Sequence, residues 1–314
     1  MSVCNLLSIV IPCFNEEESI NFTFVKINNL AKDWLTRQLI KDFELIFVDD
    51  GSKDHTLEIL SQLGKTEKKL KIISFSRNFG HQAALCAGLY RARGDAIVSL
   101  DADLQDPPEI VPEMLNKYSE GFEIILGVRK ERKGDGFLKR ITAQLFYKSM
   151  NLMGANLIYN HADFRLISGR ALAELKKFPE SMLFLRGLIP SLGFNQSLIY
   201  YDRTERTGGK SKYSLGKMMG LALEGVTSFT YLPLRLASIA GIIIALASLL
   251  LSLWAVIITL LGKSVPGWAS TVLPLYFLGG IQLLFLGIMG EYIGKIYMET
   301  KKRPPFIVKE EHNF

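Results

Sequence analysis

Two stretches of 27 residues without a charged side chain, Leu236 to Gly262 and Ser264 to Gly290, constrain this chain more than any other feature. At ~1.5 Å of rise per residue, either one as a helix reaches across the ~30 Å of bilayer hydrocarbon. They lift the mean hydropathy of the 314-residue chain to +0.19 and exclude a wholly soluble protein. Only Lys263 lies between them, whereas Arg235 precedes the first and Lys295, Lys301, Lys302, Arg303 and Lys309 follow the second. Positive charge stays on the cytoplasmic side, so a hairpin of two spans with both termini cytoplasmic is expected. Its spans are placed at 236–262 and 270–292, the second trimmed at minimum to Val272–Gly290, with a cytoplasmic basic tail at 293–314. Pro274 lies near a span end, where a missing N–H does least harm.

The remainder reads as a cytoplasmic α/β domain. Its apolar run Leu6–Ile11 is short, lacks a basic lead and stops at Pro12 before three glutamates, so it is no signal peptide. Cys4, Cys13 and Cys86 form no CxxC pair and no zinc spacing, which suits a reducing compartment. The net charge of +6 divides into +4 for residues 1–235 and +2 for the rest, too even for a nucleic-acid-binding stripe. Strands are expected at Leu7–Ile11, Glu44–Val48, Lys71–Phe75, Ala96–Leu100 and Glu123–Gly127. Helical patterns alternate with them, the first marked by Ile20, Phe24, Ile27 and Ala31. Regular alternation implies right-handed βαβ crossovers and a mostly parallel sheet, whose ligands bind beyond the carboxyl ends of the strands.

Three acidic loops stand at those ends: Pro12-Cys13-Phe14-Asn15-Glu16, Asp49-Asp50-Gly51-Ser52 and Asp101-Ala102-Asp103-Leu104-Gln105-Asp106. A turn leading into a helix cap explains the second loop alone. Three on one edge repel one another unless a cation or a bound donor offsets them. In extended backbone Asp101 and Asp103 point the same way, with Gln105 a third oxygen, which suits Mg²⁺ or Mn²⁺ on a diphosphate.

Together with Arg77-Asn78-Phe79-Gly80 and Pro107-Pro108, these loops resemble family 2 glycosyltransferases of the GT-A fold. Within that family the chain is similar to polyprenyl-phosphate glycosyltransferases, and most of all to the bacterial bactoprenol glucosyltransferase branch with two C-terminal membrane helices. The likeness runs from Leu7 to about Pro305. It implies a GT-A domain over 1–212, and the spacing of the residues themselves suggests an interfacial helix at about 137–153 and an interfacial amphipathic helix over 213–235. In both segments apolar faces carry basic borders, although either could pack on the sheet instead. The resemblance further implies inverting transfer of a hexose, with UDP-glucose the first guess, from a nucleotide sugar to undecaprenyl or polyprenyl phosphate for cell-envelope glycosylation.

The resemblance assigns the nucleotide to Pro12, Phe14, Asn15, Glu16, Asp49, Asp50, Asp101 and Ala102. It assigns the metal to Asp101, Asp103 and Gln105, and chemistry to Asp163 and Asp103. The acceptor phosphate falls to Arg129, Arg206, Ser211 and Lys212. For Asp163 a structural ion pair with Arg165 is the competing role, and proton transfer is not required because a phosphate monoester is largely dianionic at pH 7. Gly209-Lys210-Ser211 is no P-loop, since Thr204 stands where a glycine is needed and no strand is expected before it. Relatives imply a homo-oligomer built through the membrane part, where Gly279, Gly280, Gly287, Gly290 and Gly294 allow close approach. Two other functions compete. A processive polysaccharide synthase normally carries Gln-x-x-Arg-Trp, and no Arg-Trp pair exists here. A non-catalytic nucleotide-binding membrane scaffold would recruit a partner such as a flippase. A dinucleotide dehydrogenase is excluded because no GxGxxG follows an expected strand.

Overall fold

The computed structural model describes residues 4–130, 161–178, 185–202, 232–261 and 267–314. They form two compact units, the described residues up to 202 with Arg303–Phe314 in the first and those from 232 to Lys302 in the second.

In the first unit the order is β1 (Cys4–Cys13), α1 (Ile20–Thr36), β2 (Ile40–Asp49), α2 (Thr56–Thr66), β3 (Leu70–Phe75), α3 (His81–Arg91) and β4 (Ala96–Ser99). A 3-10 turn at Pro108–Ile110 then leads to α4 (Val111–Ser119), β5 (Ile124–Arg129), β6 (His161–Ser168), α5 (Gly169–Leu175), α6 (Leu185–Ser191) and β7 (Gln196–Tyr201). All five expected strands are present, with ends moved by a few residues. The sheet has eight strands in the order β7-β5-β6-β4-β1-β2-β3-β8, where β8 is Val308–His312. Neighbours pair in parallel except at β6, which runs against β4 and β5, and at β8, which runs against β3. The expected mostly parallel α/β sheet is therefore observed.

Alternation along the strands sorts side chains onto two faces. Leu7, Ile9 and Ile11 of β1 face one core, closed by Ile20, Phe24 and Ile27 of α1 and Met114 of α4. Val10 faces the other, closed by Leu85 of α3, Leu172 of α5 and Leu188 of α6. Helix α3 lies so close to β1 that a Cβ at Gly88 would overlap the Val10 side chain. That contact fixes where α3 begins on the carboxyl edge.

Strands β6, β7 and β8 were not expected. β7 ends at Tyr201, just before the basic stretch, so the absence of a strand there is not an argument against a P-loop; only Thr204 is. Within 293–314, expected as a cytoplasmic basic tail, helix continues to Thr300, and the chain then returns to the sheet as the edge strand β8. Arg91 holds Glu311 at 2.7 Å, and the Asn313 side-chain amide donates to the carbonyls of Gly64 and Leu70.

The second unit contains α7 (Leu232–Leu260) and α8 (Trp268–Thr300), which lie against each other. Among the described residues one stretch, Phe277–Thr300, is long and apolar enough to cross a membrane. A Cβ on any of the glycines at 279, 280, 287, 290 and 294 would meet nothing within 4 Å, so packing of α8 in this chain does not require them. The interfacial helix expected at 137–153 and residues 213–231 of the other lie outside the described residues; 232–235 open α7.

Candidate active site

The loops after β1, β2 and β4 share the carboxyl edge of the sheet, as their order and direction require. The first two are stitched together. Asn15 turns the chain in left-handed backbone (φ 53°), a conformation asparagine tolerates. Its N–H donates to Ser52 Oγ at 2.9 Å and its Oδ1 accepts from the Lys53 N–H at 2.8 Å. The Glu16 N–H donates to Thr56 Oγ1, and the Glu16 carboxylate accepts from Ser19 Oγ. Asn15 thus spends its side chain on loop geometry, while Phe14 projects into solvent (39% exposed) and Pro12 is buried in β1.

Asp49 and Asp50 are both buried and organise different neighbours. Asp49 accepts from the Ser52 N–H and from Ser74 Oγ, closing its own turn and tying β2 to β3. Asp50 accepts from the backbone N–H groups of Phe79 and Gly80, at 2.7 and 2.9 Å. Burial raises its pKa against the pull of those two amides. Gly51 follows Asp50 at φ +67°, and a Cβ there would come within 2.8 Å of the Arg77 Cα and carbonyl oxygen. Gly51→Ala is expected to cost roughly 1–3 kcal/mol, because it adds both a left-handed strain and a backbone overlap. Chemical denaturation compared with the wild type checks this.

The third loop does not run extended, which corrects the expectation for Asp101 and Asp103. β4 ends at Ser99, the Leu104 N–H returns to the Asp101 carbonyl at 3.3 Å, and Leu104 has φ 50°. Asp103 Oδ1 accepts from the Gln105 N–H, and the Ala102 carbonyl accepts from Thr23 Oγ1 of α1 at 2.7 Å. Gln105 is buried. Asp106, also buried, receives two hydrogen bonds from Arg129, at 2.9 and 2.7 Å, and one from the Tyr201 hydroxyl at 2.7 Å. Burial works against the Arg129 charge, but Asp106 more than offsets it and holds the pKa above the ordinary arginine value. Arg129, assigned to an acceptor phosphate, is thus committed to a buried carboxylate that ties the third loop to β5 and β7.

β6 brings Asp163 to this edge. Because Ser99 pairs with Arg165 in antiparallel register, two residues on from Ser99 and two back from Arg165 bring Asp101 level with Asp163. Asp163 is 2% exposed and is held by Arg165, which is fully buried, and by three hydrogen bonds from Arg186 of α6 at 3.2, 3.2 and 2.7 Å. His81, the first residue of α3, places its Nε2 3.4 Å from Asp163 Oδ2 and 3.5 Å from Asp101 Oδ1. Burial opposes ionisation of Asp163, yet His81, Arg165 and Arg186 together hold its carboxyl well below the usual range. Burial likewise opposes the His81 charge, and the facing Asp163 and Asp101 more than offset it and raise the pKa. The ion pair with Arg165 is thus present, within a larger cluster.

Asp101 differs from Asp163 in lacking strong donors. Its Oδ1 is buried without a hydrogen-bond partner, and burial raises its pKa. An orphaned carboxylate oxygen beside further oxygen-bearing side chains fits a hard divalent cation. Among the described residues no group of three His, Cys, Asp or Glu side chains forms a complete metal site. A partial set is what Mg²⁺ takes from protein when water and phosphate oxygens supply the rest. Arg206, Ser211 and Lys212 lie outside the described residues.

Two members of the cluster, His81 and Arg186, were not identified from sequence. His81 follows Arg77-Asn78-Phe79-Gly80 at the carboxyl end of a parallel strand, so its place at the edge was inferable. Arg186 carried no such signal, because it reaches Asp163 from a separate short helix.

A parallel-dominated α/β domain with an acid-lined carboxyl edge is a nucleotide-handling enzyme domain by fold and site. The chain belongs to glycosyl transferase family 2, whose model matches residues 8–175 and takes in every carboxylate described here. It is 45% identical to the uncharacterized glycosyltransferase YkoT of Bacillus subtilis, over 96% of this chain and 91% of that one. It is 41% identical to the SfII prophage-derived bactoprenol glucosyl transferase of Shigella flexneri over 98% of both chains. With the prophage bactoprenol glucosyl transferase homolog of Escherichia coli K12 it shares 39% identity, over 96% of this chain and 98% of the other. Among solved structures, glucosyl-3-phosphoglycerate synthase of Mycobacterium tuberculosis aligns at 20% identity and a TM-score of 0.49, over 71% of this chain and 78% of that one. The protein is a glycosyltransferase.

Proposed function

We propose that this glycosyltransferase moves single hexose units from a nucleotide sugar onto undecaprenyl or another polyprenyl phosphate at the cytoplasmic face of the membrane. UDP-glucose is the donor to test first. The observation that carries the acceptor is the 41% identity to a bactoprenol glucosyl transferase over 98% of both chains, which extends past residue 175 through the apolar helices.

Topology supports a two-span hairpin. β8 belongs to the same sheet as β1 to β7, so the chain between Tyr201 and Val308 crosses a membrane an even number of times. If Phe277–Thr300 crosses, a second crossing is needed, and α7 is long enough at 29 residues to provide it. Basic residues before α7 and after α8 favour cytoplasmic ends.

The acidic edge would then face the nucleotide, with Phe14 and Asp50 towards the nucleoside. Asp101 and Asp103, with Gln105, would hold a divalent cation, Mg²⁺ or Mn²⁺, whose charge offsets that developing on the departing diphosphate. An acceptor phosphate oxygen forms the new bond to the anomeric carbon as the bond to the diphosphate breaks on the opposite face, which inverts that centre. A dianionic acceptor has no proton to lose. Asp163, held ionised by Arg165, Arg186 and the facing His81, is suited to orient the acceptor or the sugar rather than to take a proton. Arg206, Ser211 and Lys212 would meet the acceptor phosphate.

Radiolabelled glucose from UDP-glucose should enter a lipid extract in single units when undecaprenyl phosphate is supplied. Polymer would identify a processive synthase, and no incorporation from any nucleotide sugar a scaffold. Arg206→Ala and Lys212→Ala are expected to raise the KM for the lipid about tenfold each, the loss of one charge-assisted contact, with little change for the nucleotide sugar. A selective rise in the nucleotide KM would place the loop on the donor instead.

A further inference from the structure

The segment that closes the sheet at β8 also touches the donor edge. Phe306 stacks on Phe75, the last residue of β3, with centroids 5.0 Å apart and planes 11° from parallel. The Ser76 N–H donates to the Ile307 carbonyl at 3.0 Å. Phe75 in turn meets the ring of Phe79 edge-on, at 5.7 Å and 87°, and the Arg77 guanidinium lies 4.0 Å from the Phe79 centroid. Phe79 and Gly80 supply the two amides on Asp50, and the next residue is His81, beside Asp101 and Asp163. Three rings therefore connect the chain that follows α8 to the loop that enters the acidic cluster.

We infer that Phe306 is a positioning residue for nucleotide-sugar binding: through Phe75 and Phe79 it sets the loop that carries His81 and the Asp50 amides. The inference rests on the reading that the nucleotide sugar binds at this edge. The far end of β8 is anchored independently by Arg91 with Glu311 and by Asn313, so holding the strand on the sheet does not need the ring stack. A flat ring stacked on a flat ring fixes height and plane together, which generic apolar packing does not. One consequence is that a catalytic piece cut at residue 212 lacks a residue that positions its donor site, although it keeps every carboxylate of the acidic edge.

The test uses the full chain in detergent or membranes, with UDP-glucose and undecaprenyl phosphate. Phe306→Ala is expected to raise the KM for UDP-glucose about three- to tenfold, the size of a lost aromatic pair, without raising the KM for the lipid. Phe306→Tyr, which keeps the ring, should restore the wild-type value. Glu311→Gln, which weakens the far anchor, should lower the melting temperature and leave the donor KM alone. Phe306→Leu replaces the alanine variant if the latter fails to accumulate. If the Phe306 variants lower only the melting temperature, or raise both KM values alike, the strand is a stabilising edge and the inference falls. Wild-type protein that transfers no sugar from any nucleotide donor would instead overturn the proposed function, a result distinguishable from an active wild type with an unaffected Phe306→Ala variant.

Discussion

Asp163→Asn is expected to slow sugar transfer by roughly 10²–10³-fold, the range for removing one preorganised charge from a reacting centre. Nucleotide affinity should stay nearly unchanged, because the carboxylate belongs to β6 and its cation cluster and not to the loops after β1 and β2. The substitution also leaves the fully buried Arg165 facing a neutral amide, which costs roughly 3–5 kcal/mol when a buried pair is broken, so rates must be expressed per folded molecule. With its pKa held well below the ordinary range, Asp163 is ionised throughout the working pH range and is a poor proton acceptor. The wild-type and Asn profiles should therefore share one limb near pH ~6, set by the acceptor phosphate itself. An acidic limb that disappears in the variant would show proton transfer to Asp163. Wild-type turnover in the variant would leave the ion pair as its whole role. The same depressed pKa has a stability consequence. Its contribution is fully present above the unfolded value of ~3.9 and is lost as pH falls through the folded value, so below about pH 4 the wild type should lose more stability than the variant, which keeps its other depressed carboxylates. Urea unfolding at stepped pH measures this.

Asp101→Ala and Asp103→Ala are each expected to lower transfer by about 10³-fold or more, since a Lewis acid on a leaving diphosphate supplies several kcal/mol. Asp101 should show the larger loss. Its buried Oδ1 accepts no hydrogen bond among the described residues, with His81 Nε2 3.5 Å away, whereas Asp103 Oδ1 already accepts the Gln105 amide. Removing the carboxylate without a cation present should cost the fold little, because burial, the largest influence on Asp101, disfavours its charge and outweighs the attraction of the facing His81. Titration of Mn²⁺ in the presence of UDP should show binding to the wild type that Asp101→Ala loses. Full activity in excess EDTA, with no metal retained by the protein, would remove the cation from the mechanism.

Much of the carboxyl edge was legible because strand order leaves few choices. Once five short apolar runs alternate with amphipathic helices, parallel crossovers follow, and every loop after a parallel strand lands on one side. What those loops do with their side chains was not legible. Asn15, Asp49 and Asp50 are polar residues at the right edge, yet their hydrogen bonds run to neighbouring loops and not outward. Arg129 reads as a free phosphate-binding arginine until Asp106 is found beneath it.

The local chemistry of the chain thus settled its class: short apolar runs alternating with helical three-and-four spacing indicated the α/β layering, and acidic loops after strands marked the edge. These depend on residues close in sequence, where backbone geometry alone relates them. Tertiary structure decided what depends on contacts across long separations. The reversal of β6 brings Asp163 level with Asp101, α3 and α6 contribute His81 and Arg186, and β8 joins a sheet begun some 300 residues earlier. No local pattern encodes such pairings, because their energy comes from burying charged and aromatic groups against partners that only the folded chain supplies.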